Sequence, residues 1–453
     1  MKSPVLSILF LLISVTLLAV PKDVRFRHCS VEDGLSSNSV RAIMQDKYGF
    51  LWIGTEEGLN RYDGIMIKSY SICPQAAGKY ISSLYGTKKN IWIGTDEGIY
   101  IYAYATETFT YFDLTTPNNV RITSIVNHIL QDKDGNLWFS TNGQGLFRYN
   151  LSKNYLEQYE FTSAFGIVAS TMADSDNQIW ALTNQGESGV YKLNKAENKF
   201  EPFGLLYNAG NHHSQALAML EDSEQTLWLG TWECGLQKID KYTRQTTTYL
   251  HPTDGKGVTH IHSLMEYAPH QLLIGSDDGL LLFNTLTEEY KLFTENETVP
   301  NSLSNRFVYP IIKDQEGGIW IGTYYGGINY ISPNAEQFES FSHSRLYNSI
   351  NGNVIGRFCE DAHGQIWIAS DDGGLNRYSP KDRKFVYYLP ADHKNSLSYH
   401  NVHALCMDGD NLWIGTYTGG VNVLNLQTGT FKVYRSYTDI PVSYTHLTLP
   451  TSD

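Results

Sequence analysis

An all-β fold of repeated four-stranded blades is predicted by three features of this 453-residue sequence. A phrase that first occurs as Leu-Trp-Ile-Gly-Thr, at residues 51–55, recurs in nine copies. Successive copies are 40 to 48 residues apart, which is the length of one propeller blade. Short β-forming runs and tight turns surround each copy, and no stretch after the N-terminus has a helical period. We therefore expect a β-propeller, with one seven-bladed ring followed by the first two blades of a second ring.

The copy around Trp320 shows how one blade is built. Strand a covers residues 308–312, and an Asp-x-x-Gly turn at residues 314–317 leads into strand b at 319–323. A second turn leads into strand c at 328–331, and residues 338–341 follow as the fourth strand in repeat order. Asp and Gly favour such turns, because Asp bonds its own backbone and Gly accepts a positive φ.

Tryptophan at the centre of the repeat is predicted to hold the blades together. A buried Trp removes roughly 150–250 Å² from water, so a stack of blades can share a core that one blade cannot form alone. Leu273 takes this position in the sixth copy and keeps its apolar character. The other eight copies have Trp52, Trp92, Trp138, Trp180, Trp228, Trp320, Trp367 and Trp413.

The segment before the first copy is predicted to close the first ring. Phe26 lies 26 residues before Trp52, and Phe341 lies 26 residues before Trp367. Residues 25–29 are therefore equivalent to a fourth strand, and we expect them to be the outermost strand of the seventh blade. Closure of this kind leaves no open sheet edge. The expected domains are the first propeller at residues 22–335 and two blades of the second at 336–441.

One face of the propeller is expected to carry any ligand site. If strands a to d run outward from the centre, the b–c loops and the d–a crossings share one face. The a–b turns at Asp46, Asp132, Asp314 and Asp361 lie on the other face and are expected to be structural. Sugar recognition needs flat rings beside planar hydrogen-bonding groups. The candidate ligand residues on the b–c loops are Trp232, Tyr324, Tyr325 and Tyr417 as rings, with Asn142, Gln144 and Glu233 as polar partners.

The two ends of the chain differ from the repeats. Residues 1–21 have Lys2 followed by an apolar run from Val5 to Val20, which is typical of a signal peptide or an uncleaved signal anchor. We therefore expect the propeller to be exported. Residues 442–453 resemble a translated sequencing adapter, so the natural chain is expected to continue differently beyond about Pro441.

Charge and cysteine content exclude several classes of protein. The 47 acidic residues exceed the 34 basic ones by 13, which argues against nucleic acid or an anionic membrane as a partner. Membrane contact is expected only through the signal anchor or a helix downstream. The five cysteines lack paired spacing, and Cys359 and Cys406 occupy an apolar repeat position where we expect buried thiols.

No catalytic or metal-binding constellation is evident, and we expect no cofactor. The pairs His212/His213 and His260/His262 precede two blades on one face, but no clustered carboxylate or Cys completes a metal site. The Asp-x-x-Gly-x-x-Trp pattern resembles the Asp-box turns of sialidase-like propellers. The arginine cluster and the acid–nucleophile pair of those enzymes have no match, so we expect this region to be non-enzymatic.

Three runs of the sequence closely resemble the start of the two-component regulator propeller. They are residues 30–40, 45–55 and 58–64, and later copies repeat the Ser-Leu-Ser pattern at Ser302 and Ser396. The resemblance covers about residues 24–440. It implies the periplasmic sensor of a Bacteroides-type hybrid two-component system, which usually has two seven-bladed propellers, a β-sandwich, a membrane helix, a histidine kinase, a receiver and a DNA-binding domain.

The same resemblance implies that the parent protein senses oligosaccharides from complex glycans and switches on genes for their use. It also allows a homodimer of the full-length parent, and it identifies no ligand residue. Two other functions remain open from the sequence: a secreted propeller glycan lyase or glycosidase, and a protein-interaction propeller. The downstream sequence discriminates them, because only a sensor kinase requires a membrane helix and kinase motifs there.

Overall fold

The structure is a computed structural model that describes residues 24–72, 79–161, 166–183, 189–204, 215–251, 257–296, 299, 301–333, 341, 343–344, 348–393 and 395–435. Thirty-six strands form nine antiparallel sheets of four, and the one helical element among these residues is a 3₁₀ turn at Val31–Asp33. The predicted all-β fold of four-stranded blades is confirmed. None of the described segments forms a hydrophobic helix of membrane-spanning length. The signal segment, residues 1–21, and the adapter-like tail lie outside the described residues.

The chain divides into two compact units. The first unit comprises residues 1–296 and 301–335, and the second comprises residues 297–300 and 336–453. We number the sheets as blades 1 to 9 in chain order, so that blades 1 to 7 belong to the first unit and blades 8 and 9 to the second.

Strands a to d of each blade follow one another in the sheet, and blade 7 alone takes its outermost strand from the N-terminus. Blades 1 to 3 are β2 Val40–Gln45, β3 Leu51–Thr55, β4 Gly58–Tyr62 and β5 Ile67–Tyr70; β6 Ile81–Gly86, β7 Asn90–Thr95, β8 Gly98–Ala103 and β9 Thr108–Tyr111; and β10 Val126–Gln131, β11 Asn136–Thr141, β12 Leu146–Asn150 and β13 Tyr155–Tyr159. Blades 4 to 6 are β14 Val168–Ala173, β15 Ile179–Thr183, β16 Val190–Asn194 and β17 Lys199–Gly204; β18 Ala216–Glu221, β19 Leu227–Thr231, β20 Leu236–Ile239 and β21 Thr246–Tyr249; and β22 Ile261–Ala268, β23 Gln271–Ser276, β24 Gly279–Asn284 and β25 Tyr290–Phe293. Blades 7 to 9 are β26 Val308–Lys313, β27 Ile319–Thr323, β28 Ile328–Ile331 and β1 Arg27–Cys29; β29 Ile355–Glu360, β30 Ile366–Ser370, β31 Gly374–Ser379 and β32 Lys384–Tyr388; and β33 Val402–Asp408, β34 Asn411–Thr416, β35 Gly420–Asn425 and β36 Thr430–Tyr434.

The N-terminal strand closes the first unit as predicted. β1 pairs antiparallel with β28 of blade 7, with Arg27 opposite Tyr330 and Cys29 opposite Ile328. Blade 7 also packs on blade 1, where the Tyr62 and Trp320 rings lie 5.8 Å apart. The prediction that the N-terminal segment replaces a missing outer strand is therefore confirmed. Residues 338–340 of the expected next strand lie outside the described residues, and Phe341 packs on Tyr378 in blade 8.

The repeat tryptophans before the last blade pack into the following blade. Trp92 of blade 2 joins a buried cluster with Phe139 of blade 3, and the rings lie 5.7 Å apart. Trp138 of blade 3 packs in the same way on Ile179 of blade 4. Leu273 of blade 6 keeps the apolar contact with Ile319 of blade 7. The repeat position therefore supplies the core between neighbouring blades.

An aspartate in the a–b turn holds the tryptophan that crosses to the next blade. In blade 3, Asp132 Oδ1 accepts the Asn136 amide at 2.8 Å, and Oδ2 accepts Trp138 Nε1 at 2.8 Å. One buried carboxylate thus closes the turn and satisfies the buried indole N–H. In five other blades the repeat tryptophan also donates its indole N–H to the a–b turn aspartate, at 2.7 to 2.9 Å. These aspartates are Asp46, Asp174, Asp222, Asp314 and Asp361. In blade 2, Thr87 closes a shorter turn, and the buried Trp92 N–H has no partner.

The last blade shows what the repeat residues do when no blade covers them. Trp413 of blade 9 is 39% exposed, whereas Trp367 of blade 8 is buried against Leu412 and Ile414 of blade 9. Among the described residues, no tenth blade packs on blade 9. The expected burial of Cys406 is wrong for the same reason, since it pairs with Trp413 on that uncovered surface and is exposed. Cys359 is half-buried and packs in the Trp367 cluster.

We predict that Trp92→Ala or Trp138→Ala lowers the free energy of unfolding by about 3–5 kcal/mol, because each ring fills the space between two blades. Denaturant unfolding of the first unit, residues 22–335, measures the change. Trp232→Ala is the matched control, because Trp232 is 37% exposed and off the repeat position. The control should cost under about 1 kcal/mol. A loss that small at Trp138 would contradict interblade packing as the source of stability.

We also predict a pH-dependent contribution from Asp361 of blade 8. Burial alone would raise the pKa of its carboxyl, but hydrogen bonds from Trp367 and from the Gln365 and His363 amides bring the pKa below its usual 3.8. The stabilisation is therefore present above the unfolded-state pKa and is lost as the pH falls through the lower folded-state pKa. Asp361→Asn should destabilise the second unit at about pH 7 and less at about pH 3. Equal effects at both pH values, measured by denaturant unfolding, would sink this interpretation.

Candidate functional site

A bulge near the start of every a strand turns one side chain out of the sheet. In blade 1, Val40 pairs with Thr55 and Ala42 with Gly54, so Arg41 between them has no partner. A bulge adds an unpaired residue and redirects its side chain. In blade 7 the bulge holds both Tyr309 and Pro310. The bulged residues of blades 1 to 7 are Arg41, Ser82, Asn127, Ala169, Leu217, His262 and Tyr309.

The seven bulged side chains line one open cavity of about 480 Å³. Tyr80, Ile167 and Gln215 from the d–a crossings and Asn142 from a b–c loop complete its wall. The cavity is therefore the mouth of the space enclosed by the a strands, on the face that the sequence predicted for ligand binding. It is large enough for a small ligand, because binding clefts typically measure about 300–1,000 Å³.

Aromatic rings form a continuous rim along one side of the cavity. Trp232 stacks on His260 with centroids 3.8 Å apart, and His262 stacks on Tyr309 at 4.2 Å. Tyr324 continues the row at 5.7 Å from Tyr309. These side chains come from blades 5, 6 and 7. The rim thus offers several ring faces next to the polar wall.

One carboxylate fixes two of the rim histidines. Asp277, in the b–c loop of blade 6, bonds His262 Nε2 through Oδ1 at 2.8 Å and His260 Nδ1 through Oδ2. Burial alone would raise the pKa of Asp277, but the bonds from the two histidines lower it. Asp277 is therefore held ionised, and it orients the rings on which Trp232 and Tyr309 stack.

Arg41 is held against the tyrosines of the cavity wall. Its Nε and Nη2 donate to Glu56 Oε1 at 3.1 and 2.6 Å. The guanidinium carbon lies 4.4 Å from the Tyr324 centroid and 4.8 Å from that of Tyr309. Burial would lower the pKa of Arg41, but the interactions with Tyr80 and Glu56 raise it. Burial also raises the pKa of Tyr80 and Tyr309, so these phenols stay protonated.

The structure brings together only some of the side chains that the sequence singled out. Trp232 and Tyr324 lie in the rim, and Asn142 lines the cavity. Tyr325 is exposed and contacts the Tyr324 ring edge-on at 4.3 Å. Glu233 is exposed in the b–c loop beside Trp232.

Two other predicted residues have different surroundings. Gln144 Oε1 accepts the amides of Thr123 and Ser124 at 2.9 and 3.0 Å, and its Nε2 donates to Arg121 O at 2.9 Å. These bonds hold the preceding d–a crossing. Tyr417 belongs to the second unit, in the b–c loop of blade 9, where its ring lies 5.8 Å from His403.

Of the cavity-lining residues, sequence reasoning predicted Asn142 alone and missed the others, among them Arg41, Tyr80, Tyr309 and the lining role of His262. A signal was available, since each bulged residue stands directly after the apolar residue that opens strand a, as in Val40-Arg41 and Val308-Tyr309. Across the described residues, no group of three or more His, Cys, Asp and Glu side chains is arranged to hold a metal ion. His212 and His213 lie outside them.

Known proteins similar to this chain include components of two-component signalling systems. A family model described as the two-component regulator propeller matches residues 34–57, 121–143, 302–325, 349–372 and 396–418. A solved structure described as the extracellular domain of a hybrid two-component system from B. thetaiotaomicron is 26% identical, with a TM-score of 0.60, and the match covers 91% of this chain and 55% of that one. Histidine kinase P4 of Formosa agariphila is 24% identical over 291 residues, which are 60% of this chain and 21% of the kinase.

A further likeness concerns the fold alone. Virginiamycin B lyase from Staphylococcus aureus is 14% identical, with a TM-score of 0.54, and the match covers 68% of this chain and 99% of the lyase. The chain spans little more than half of the sensor structure and about a fifth of the kinase. Five segments of this chain therefore match two-component regulator propeller repeats, and the chain is similar to the extracellular regions of two-component sensors.

Proposed function

We propose that this chain is the periplasmic ligand-sensing region of a hybrid two-component histidine kinase and that it binds a glycan-derived oligosaccharide in the cavity of the first unit. The similarity to sensor domains supports the sensing role. The observation that carries the ligand class is the aromatic rim beside a polar wall. Rings such as Trp232 and Tyr309 can stack on the apolar faces of sugar rings, while Asn127, Asn142 and Gln215 can bond sugar hydroxyls.

The rim is organised before any ligand arrives. Asp277 fixes His260 and His262, and these stack on Trp232 and Tyr309. Rigid side chains lose little conformational entropy on binding, so a preorganised rim favours affinity. The exposed part of Trp232 then offers a fixed surface to a sugar ring. In the parent protein, ligand binding here would control genes for carbohydrate use through a kinase beyond this chain, either as a monomer or as a homodimer.

The contacts at the cavity favour binding over catalysis. Two carboxylates next to its wall are engaged, Glu56 by Arg41 and Asp277 by two histidines. Glycoside hydrolysis requires a pair of carboxyl groups on either side of the bond that is cleaved. A lyase or glycosidase therefore remains the alternative function, and mass spectrometry of the oligosaccharide after incubation tests it. An unchanged mass supports a sensor, and a cleaved product would overturn that role.

We predict that Tyr309→Ala, Trp232→Ala and Tyr324→Ala each weaken oligosaccharide binding about tenfold, equivalent to about 1.4 kcal/mol for one lost ring contact. Calorimetry with a panel of plant and host glycan oligosaccharides measures the affinities. Tyr242→Ala is the matched control, because Tyr242 is 80% exposed in the c–d turn of blade 5, on the opposite face. It should bind like the wild type. Unchanged affinity in all three rim variants would move the site elsewhere, and no binding by the whole panel would refute the proposed ligand class.

A further inference from the structure

Closure of the ring gathers polar cavity residues that the sequence separates. Because blade 7 packs on blade 1, the bulged residues of blades 6, 7, 1, 2 and 3 are consecutive around the cavity. Their side chains are all polar: His262, Tyr309, Arg41, Ser82 and Asn127. Blades 4 and 5 complete the circle with Ala169 and Leu217. The circle of bulged residues therefore has a polar arc of five blades and an apolar arc of two, and Gln215 is a polar wall residue beside the apolar arc.

Arg41 lies at the centre of the polar arc, two blades from either end. It carries the one permanent charge among the described cavity-lining residues, and none of these is a carboxylate. Its side chain is only 18% exposed, so its charge is less screened than that of a surface arginine. The formal net charge of −13 gives the chain no general attraction for anions. A preference for an acidic ligand would have to come from this local group.

Glu56 positions Arg41 without using all of its donors. A guanidinium group has five N–H donors in a fixed plane. The bonds to Glu56 use Nε and Nη2 and end on the single oxygen Oε1. Arginine binds carboxylate and sulfate groups through further donors of the same fork. The Glu56 contact thus fixes the side chain of Arg41 and partly neutralises its charge.

The neighbours of Arg41 complement the hydroxyls of a sugar acid. Ser82 Oγ donates to Val126 O at 2.8 Å, and Asn127 Nδ2 donates to Val168 O at 2.8 Å. With the Ser82 hydroxyl proton and one Asn127 N–H used, the Ser82 oxygen and the Asn127 carbonyl oxygen are suited to accept from ligand hydroxyls, and the second Asn127 N–H can still donate. The polar arc therefore combines a cationic centre with flanking acceptors, which matches a ring bearing one anionic group among several hydroxyls.

We propose that the cavity selects an acidic oligosaccharide and that Arg41 binds its carboxylate or sulfate group. This inference rests on the proposed oligosaccharide-sensing function and adds the charge class of the ligand. Arg41 is then a specificity-determining residue, and Glu56 partly neutralises its charge. The aromatic rings of the rim stack on the sugar rings.

Calorimetry on the full chain with paired probes tests the proposal. Trigalacturonate is compared with its methyl ester, and a sulfated carrageenan tetrasaccharide with its desulfated form. At least one acidic probe should bind about tenfold more tightly than its neutral partner. The pair that shows the difference identifies the group as carboxylate or sulfate.

Two variants assign the preference to Arg41. Arg41→Gln removes the charge and should abolish the difference between the acidic and neutral probes. Glu56→Gln removes the neutralising carboxylate and should strengthen binding of the acidic probe several-fold while leaving the neutral probe unchanged. If Arg41 had only a structural role, Glu56→Gln would not strengthen binding of the acidic probe. Melting temperatures check folding, and if Arg41→Gln does not fold, Glu56→Gln and the wild-type probe pairs decide.

Failure of this inference is distinguishable from failure of the proposed function. Equal binding of acidic and neutral partners, a preference that persists in Arg41→Gln, or binding of neutral oligosaccharides alone would overturn the acidic selectivity and leave oligosaccharide sensing standing. Absence of binding by every acidic probe also overturns it. Absence of binding by the whole glycan panel would overturn both.

Discussion

The contact between the repeat tryptophan, or Leu273 in blade 6, and the following blade is the interaction on which the rest of the structure depends. A single four-stranded sheet has no covered face of its own, so its apolar side chains are buried only by a neighbour. In six blades the a–b turn aspartate favours this burial, because it accepts an indole N–H that would otherwise lack a partner. In blade 3, Asp132 also closes the turn, so one side chain links local structure to packing between blades. Loss of that carboxylate would affect two blades.

A stack of this kind needs closure, and the N-terminus provides it. β1 completes blade 7, and Tyr62 of blade 1 packs on Trp320. Closure removes a free sheet edge, and it also decides which side chains meet in the cavity. Arg41 and Tyr309 are 268 residues apart in the sequence, yet the guanidinium carbon lies 4.8 Å from the tyrosine ring. The polar arc of the cavity thus exists only because the two ends of the first unit join.

Most of the fold could be predicted from the sequence, because the same motif recurs nine times and implies the same packing in each blade. The position of β1 also followed from spacing alone, since Phe26 and Phe341 stand equally far from the next repeat tryptophan. The exposure at the last copy could not be predicted from the repeat. Trp413 and Cys406 occupy repeat positions that are covered in earlier blades, but no blade covers them among the described residues. The repeat sequence determines the direction of a side chain, but burial of that side chain depends on a neighbouring blade.

The candidate site was harder to predict, because amino-acid type does not reveal which polar groups are already used. Gln144 has a side-chain amide of the kind that binds sugar hydroxyls, yet this amide is hydrogen-bonded to the backbone of residues 121, 123 and 124. The bulged positions follow the opposite rule. Val40 and Ala42 on either side of Arg41 are buried in the blade, while Arg41 faces the cavity. A bulge thus separates the residues that build the blade from the one that faces the cavity, so the cavity chemistry can change from blade to blade without loss of the packing that holds the ring together.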